Sequence, residues 1–282
     1  MRKRNSFISV LTMFLAIGFV IIFSRPVKAA ANGVILKANR TYTAYDVTGD
    51  EVKDKIRIRT ADQIDDETYT SLTVSVNGKT AYRLKNTRFY NVIANIYTLK
   101  NGQPFLYLYA PADNGDGPVC ALLKYTNGKF RKALDFTEIM AGYGNHRIGE
   151  VTNLNGNKIV ITESIVSYSL GINAINFTYK YVNGKFVPTS RYGSYKEIYS
   201  ADGSSRYFTV NSDLPAYTRP GATAVNTTLK TGSLTKIIKC ALINGKMYIQ
   251  LECDGEIYWI KALENPPISD NERQFMEVRY AG

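Results

Sequence analysis

An Asn-Gly-Lys turn recurs in this chain at a nearly constant spacing, and this recurrence constrains the fold more than any other feature. The phrase reads SVNGKT at Ser75–Thr80, YTNGKF at Tyr125–Phe130 and YVNGKF at Tyr181–Phe186. Asn and Gly tolerate positive φ, which the type I′ turn of a two-residue β-hairpin needs at both central positions. The phrase therefore predicts a hairpin turn and not a binding site.

The spacing of these turns indicates larger units. Asn77 and Asn127 are 50 residues apart, and Asn127 and Asn183 are 56 residues apart. Short runs that alternate apolar and polar residues precede each turn, so each unit reads as turn, strand, loop, strand, Asn-Gly-Lys and strand. Such a period is typical of propeller blades and related β-repeats. Three units are too few for an ordinary closed propeller, so residues 31–200 are expected to form an open or partial stack, or to assemble with another copy.

Helix signals are concentrated in one segment, Asp135–Gly144 (DFTEIMAGYG). Asp135 can cap a helix, Glu138 lies three residues further on, and Gly142 can end the helix. One short helix or helical turn is therefore expected in an otherwise all-β chain.

Residues 1–30 have the pattern of a secretory signal peptide. Arg2, Lys3 and Arg4 precede the uncharged apolar run Phe7–Phe23, and Val27–Ala29 fits a small-residue cleavage pattern. An uncleaved N-terminal membrane segment is the alternative, because the run is just short of a membrane span. In either case the rest of the chain is expected to be secreted, or held at the cell surface or cell wall.

The charge of the chain is mildly basic once this segment is removed. Cleavage after Ala29 removes five basic residues and lowers the formal net charge from +11 to +6. Such a surface suits anionic wall polymers or lipid headgroups, although it also serves simple solubility. No dense cluster of Lys and Arg is evident in the sequence, which argues against a nucleic-acid partner.

The three cysteines are Cys120, Cys240 and Cys253. An odd count argues against a scaffold held together by disulfides. A turn at Asn244-Gly245 would place residue 249 opposite Cys240, which disfavours the alternative of a Cys240–Cys253 disulfide. Free, buried thiols are therefore expected.

The repeat rhythm stops at Gly193–Ser205 (GSYKEIYSADGSS), which is polar and rich in Gly and Ser. A domain boundary is expected there, followed by a small module at residues 207–264. The tail, residues 265–282, contains Phe275–Tyr280, which can form a late strand that packs back on the repeats.

The module carries its own turn and strand signals from Leu214 onward. They are Leu214–Tyr217, the Asn244–Lys246 turn between two strands, and Asp254–Glu256 followed by Trp259–Lys261. In this order and spacing the segment resembles the bacterial SH3-like (SH3b) domains of secreted and wall-associated proteins. The resemblance implies a small SH3-like β-barrel that binds peptidoglycan or peptide, or that packs against a partner domain.

Four aromatic residues of the module are candidates for ligand binding: Tyr217, Tyr248, Tyr258 and Trp259. Tyr and Trp offer flat apolar faces with a polar tip, which suit contacts with peptides and sugars. The alternative for Trp259 and Tyr217 is a place in the core of the barrel.

The loop Asp46–Ile56 (DVTGDEVKDKI) carries oxygen-bearing side chains at alternate positions. They are Asp46, Thr48, Asp50 and Asp54. The loop is similar to the aspartate-rich loops of FG-GAP-type propeller blades, in which such oxygens surround Ca²⁺. The resemblance implies a structural calcium site, and the alternative is a solvated turn before a strand.

Signals for catalysis are weak. His146 is the only histidine, so the chain cannot supply a zinc site with two histidines. No GxSxG motif or P-loop occurs. Cys120 has the apolar surroundings of a buried thiol, and Glu138, Glu150 and Glu163 are scattered, as surface charges are. No enzymatic activity is expected.

These expectations describe a secreted, non-catalytic, all-β binding protein of a Gram-positive type of bacterium. Propeller-like or partial-propeller β repeats would precede an SH3-like barrel that associates with peptidoglycan or a wall-linked peptide. The alternatives are an adhesion or scaffold protein that works through the β-repeat surface, and a wall hydrolase with an unfamiliar site.

Overall fold

The computed structural model describes residues 33–113, 116–200 and 203–280. The regular structure of these residues is β, apart from short 3-10 turns. The expected signal segment, residues 1–30, lies outside the described residues. Within the described part, no helix is long and apolar enough to cross a membrane.

Three successive groups of four strands form antiparallel meanders. The first sheet, which follows β1 (Val34–Leu36) in the chain, consists of β2 (Thr41–Tyr45), β3 (Asp54–Gln63), β4 (Tyr69–Val76) and β5 (Lys79–Phe89). The second sheet consists of β6 (Ile93–Thr98), β7 (Pro104–Ala110), β8 (Val119–Thr126) and β9 (Lys129–Asp135), with β1 paired to β6. The third sheet begins with β10 (Gly144–Asn155), β11 (Lys158–Ser167), β12 (Gly171–Val182) and β13 (Lys185–Pro188).

The third sheet continues without a break into the C-terminal part of the chain. Its further strands are β14 (Tyr192–Ser200), β15 (Gly203–Ser204), β16 (Tyr207–Thr209), β19 (Leu234–Ile243), β20 (Lys246–Cys253) and β21 (Glu256–Lys261). A separate two-stranded sheet consists of β17 (Leu214–Ala216) and β18 (Thr227–Leu229).

The predicted Asn-Gly hairpins are confirmed. The Asn residues at 77, 127, 183 and 244 have φ between 49° and 51°, and the Gly residues that follow them have φ between 73° and 89°. The ladders leave two residues in each loop, since the flanking pairs are Val76 with Lys79, Thr126 with Lys129, Val182 with Lys185, and Ile243 with Lys246. Each of the three meanders has this turn before its last strand, which explains the spacing in the sequence.

The second sheet is buried on both faces because it lies between the other two. Alternate residues of β7 point to opposite faces, so Leu106 and Leu108 join one core with Ile58 and Leu72 of the first sheet. Phe105, Tyr107 and Tyr109, on the other face of β7, join a second core with the third sheet and the C-terminal strands. The uninterrupted apolar run of β7 is the sequence counterpart of this double burial.

Most of the segment Gly193–Ser205, where a domain boundary is predicted, forms the strand β14. This strand pairs with β12 on one side and with β19 on the other. It therefore joins the repeat region to the C-terminal module within one sheet. Ser194 and Lys196 of this strand are exposed, while Gly193 and Tyr195 are buried.

The tail packs back on the third sheet and on the residue that follows β16, through isolated bridges instead of a strand. Val278 bridges Ser200, and Phe275 bridges Val210. The Ile172 amide donates a hydrogen bond of 3.0 Å to the carbonyl of Arg279.

Two smaller predictions are confirmed. Asp135 caps a 3-10 turn, Phe136–Glu138, by accepting a hydrogen bond of 3.2 Å from the Thr137 amide. All three cysteines are free and buried. Cys240 lies opposite Ile249 in the ladder.

The prediction of an all-β fold class is confirmed for the described residues. No sheet formed by the described residues closes into a ring. The β17–β18 pair is joined to β21 by a single bridge between Tyr217 and Trp259.

Candidate binding surface

Three of the four aromatic candidates lie together, and the fourth lies elsewhere. Tyr217, Tyr248 and Trp259 form a small buried cluster with Ala241, and each is at most 6% exposed. Tyr258 precedes Trp259 in β21 and therefore points to the opposite face, where it packs against the main core. A groove lined by all three tyrosines is consequently not formed.

The small cluster is held by backbone pairing. The Tyr217 amide donates to the Trp259 carbonyl at 2.8 Å, and the Trp259 amide donates to the Tyr217 carbonyl at 2.9 Å. This reciprocal pair holds Tyr217 beside Trp259, where both rings are buried. The two buried residues form the base, or floor, on which exposed side chains pack.

An exposed tyrosine, Tyr192, lies against this floor. Its ring centroid is 5.9 Å from that of Trp259, with 36° between the ring planes, and Tyr192 is 37% exposed. The Lys239 Nζ lies 4.7 Å from the Tyr192 centroid and 6.0 Å from that of Trp259. The Arg191 guanidinium lies 5.4 Å from the Tyr192 centroid. We call Arg191, Tyr192, Lys239 and Trp259 the aromatic–cation surface.

A third cation extends this surface. Lys261 Nζ lies 5.2 Å from the ring centroid of Tyr217. In the part of the chain that the structure describes, neither Arg191, Lys239 nor Lys261 forms an ion pair with a carboxylate. A cation over an aromatic ring gains about 0.5–1 kcal/mol at an exposed site, and its N–H groups remain available to an anionic group of a ligand.

The position of Tyr192 follows from a close approach of two strands. Gly193 pairs with Cys240, and a Cβ at Gly193 would lie 2.5 Å from Cε1 of Phe177. Glycine at this position leaves room for the Phe177 ring, and in the ladder with β19 the next residue, Tyr192, lies opposite Ala241 of the buried cluster. Tyr192 was missed from the sequence because its segment reads as a polar linker. The aromatic and β-branched residues Tyr192, Tyr195, Ile198 and Tyr199 in this segment were the available signal for a strand.

The aspartate loop forms a network of hydrogen bonds with its own backbone. The carboxylate of Asp46 accepts hydrogen bonds from the Gly49 amide at 2.6 Å and the Glu51 amide at 2.7 Å. Asp54, which is 1% exposed, accepts from the amides of Val47 at 2.7 Å and Thr48 at 2.9 Å. Burial opposes ionisation of Asp46, but these amide donors outweigh it and lower the pKa of its carboxyl.

These hydrogen bonds explain why the loop forms a turn before β3. Asp50 accepts a hydrogen bond from the Val52 amide at 2.9 Å, and the Thr48 hydroxyl lies 3.2 Å from an oxygen of Asp46 and 3.2 Å from an oxygen of Asp54. Of the four predicted calcium ligands, Asp46, Thr48 and Asp54 therefore lie together, with N–H and O–H donors directed at the carboxylate oxygens. Among the residues with assigned positions, no three His, Cys, Asp or Glu side chains form a group that could hold a metal ion.

Cys120 has the surroundings of a structural thiol. It is 1% exposed, and its Sγ donates to the Gly149 carbonyl at 3.4 Å. Burial, with a smaller contribution from Glu163, raises the pKa of the Cys120 thiol to about 12, which suppresses the nucleophilic thiolate. His146 Nδ1 lies 3.8 Å from Oδ2 of Asp116.

Glu163 is not a surface charge, which corrects the sequence interpretation. It is 0% exposed, whereas Glu138 is exposed and Glu150 is half-buried. Neither carboxyl oxygen of Glu163 has a hydrogen-bond partner among the described residues. Burial raises the pKa of Glu163 well above its ordinary value, although Arg147 opposes the shift.

Comparison with models of protein families, with curated proteins and with solved structures found no match to this chain.

Proposed function

We propose that the chain is a non-catalytic binding protein of the bacterial cell surface, and that it contacts peptidoglycan through the aromatic–cation surface. The observation that carries the proposal is the pair of rings, Tyr192 over Trp259, with Lys239 placed over both. The exposed Tyr192 ring, supported from below by Trp259, can stack on the apolar face of a sugar. Lys239 and Arg191, which form no ion pair with the described residues, can bind carboxylates. Peptidoglycan offers both groups, since its glycan strands carry peptides that end in carboxylates.

The architecture is consistent with this proposal. The recurring four-stranded meander supports the partial-propeller part of the proposal, and the order of the turns between β17 and β21 supports the SH3-like part. A binding function also agrees with the state of the ionisable groups in the interior. Cys120 and Cys240 are buried thiols whose pKa values are raised to about 12 by burial.

The proposal predicts that Tyr192→Ala weakens binding to peptidoglycan. Tyr192 supplies the exposed ring of the aromatic–cation surface, so its loss is expected to lower the affinity of the whole protein about tenfold. The measurement is retention on insoluble peptidoglycan from which phosphodiester polymers have been stripped, at physiological salt. The whole chain is required, because a fragment that starts at residue 207 lacks β14 and Tyr192.

A matched control is available in Tyr207→Ala. Tyr207 is 53% exposed and also lies under a lysine, with Lys236 Nζ at 5.9 Å from its ring centroid, but it is outside the aromatic–cation surface. This variant is expected to bind as the wild type does. Lack of retention of the wild type would contradict the proposal, and so would equal losses in the two tyrosine variants.

A further inference from the structure

The outer face of the first sheet carries a concentrated set of cations. Lys55, Arg57 and Arg59 are alternate, exposed residues of β3, and Arg83 and Lys85 are exposed alternate residues of β5. Their neighbours in sequence point the other way, into the core shared with the second sheet. We call this set of five residues the basic face.

The strand register places these cations on the two sides of a row of hydroxyls. Thr73 of β4 pairs with Arg59 on one side and with Arg83 on the other, and Ser71 pairs with Lys85. Neighbouring strands are about 4.8 Å apart, so Arg59 and Arg83 are separated by about 10 Å at the backbone. The hydroxyl row along β4 consists of Ser71, Thr73 and Ser75, all partly exposed.

The basic face is not neutralised within the molecule. Over residues 33–113, 116–200 and 203–280, none of its five cations forms an ion pair. Acidic residues occur beyond its two ends, at Asp50-Glu51 and in the segment Asp62–Glu67. A solvated sheet face ordinarily mixes both signs of charge, so a face with one sign and a central row of hydroxyl donors fits a polyanion.

We propose that the basic face binds a linear phosphodiester polymer, of the polyol-phosphate type, laid along β4. Guanidinium and ammonium groups on the two flanks would bind successive phosphates, and the Ser and Thr hydroxyls would donate to the same oxygens. A single extended chain fits the narrow row between the flanks. A bilayer surface fits less well, because none of the exposed large apolar residues lies on β3, β4 or β5 of this face.

This site is distinct from the aromatic–cation surface. The basic face belongs to the first sheet, whereas Tyr192 and Trp259 belong to β14 and β21 of the third. The ligand classes also differ, because one surface is suited to glycan and peptide and the other to repeated phosphate charge. Each proposal can therefore fail without the other.

The test measures affinity of the whole protein for poly(glycerol phosphate) over a series of salt concentrations. Binding that releases counterions gives a linear decrease of log K with log salt, with a slope of about −0.7 to −0.9 per phosphate contact. The double variant Arg57→Gln/Arg83→Gln is expected to bind about tenfold or more weakly and to reduce the slope by about 1.5.

The matched control is Lys158→Gln/Lys180→Gln. These two exposed lysines pair across β11 and β12 of the third sheet, and the change in net charge is the same. Affinity and slope of this control are expected to equal those of the wild type. A Tyr192→Ala variant should also bind the polymer normally, and the Arg57→Gln/Arg83→Gln variant should still bind stripped peptidoglycan.

Three results would overturn the inference. The wild type could fail to bind poly(glycerol phosphate). The control pair could lose as much affinity as the Arg57→Gln/Arg83→Gln pair, which would indicate a general charge effect. Stronger binding to phosphatidylglycerol vesicles or to single-stranded DNA than to the polymer would assign the face to a membrane or a nucleic acid instead.

Discussion

The carboxyl of Glu163 lies in the interior, opposite Gly149 in the ladder between β10 and β11. Gly149 is needed there, because a Cβ would lie 2.0 Å from Cδ1 of Phe136 and 2.6 Å from Oε2 of Glu163. Period-two alternation in VITESIVS places Glu163 on the same face as Ile161 and Ile165, which are buried, so the pattern itself indicated this position. The sequence interpretation took Glu163 for a surface charge because a carboxylate is rarely fully buried.

The raised pKa of Glu163 predicts a pH-dependent stability. The folded protein retains a proton that the unfolded chain has released, so the free energy of unfolding falls as pH rises above the ordinary carboxyl pKa of about 4.3. Glu163→Gln stays neutral at every pH and should lose this decline. The melting temperatures of variant and wild type should agree near pH 4 and differ by several degrees at mildly alkaline pH, with the variant higher.

Glu138→Gln is the control for this prediction, since Glu138 is exposed. Its melting temperature is expected to follow the wild type across the pH range. A parallel decline of the Glu163→Gln variant and the wild type would show that Glu163 does not carry the effect.

At the scale of elements, the Asn-Gly hairpins were predictable and the strand β14 was not. The turns have a local cause, because positive φ is required at two adjacent positions whatever packs around them. The strand β14 has a non-local cause, since its Gly193 is fixed by the approach of Phe177 on β12. The same distinction applies to Trp259. The sequence alone identified it as a candidate residue, but its place in the buried cluster depends on a backbone bridge to Tyr217.

The turn geometry predicts the cost of replacing Gly128. Its φ is 77°, and a Cβ at this position would have no neighbour within 4 Å. Gly128→Ala is therefore expected to cost only the backbone strain of a left-handed residue, about 1–2 kcal/mol in the free energy of unfolding by urea. Gly128→Asn should cost less, because Asn tolerates this conformation. Equal costs for Ala and Asn would contradict a strain-based account.

At the scale of the whole molecule, the succession of meanders was predictable and their joint core was not. The sequence of β7 has an apolar residue at every position. This indicates that both faces of the strand are buried, but it does not identify the sheets that cover them. The same limit applies to the basic face. KIRIR reveals three outward cations, but their position across β4 from Arg83 and Lys85 follows only from the register.

The main core extends from the second sheet to the tail. Tyr107 and Cys120 belong to the same cluster as Cys240 and Phe275. The Phe275 ring is 0% exposed and lies 5.7 Å, centroid to centroid, from Phe208. The repeat region and the C-terminal module are thus expected to unfold together instead of as two domains.

Phe275→Ala tests this expectation through the cysteines. Loss of a buried Phe costs about 3–5 kcal/mol, and in a single cooperative unit this cost lowers the protection of every buried thiol against a thiol reagent. Cys120, more than one hundred residues earlier in the chain, should then become reactive at the same lower urea concentration as Cys240. Met276→Ala, at a residue that is 48% exposed, should leave both unchanged. If Phe275→Ala exposes Cys240 while Cys120 stays protected, the module unfolds by itself, and the strand β14 is a hinge between two domains instead of a shared part of one.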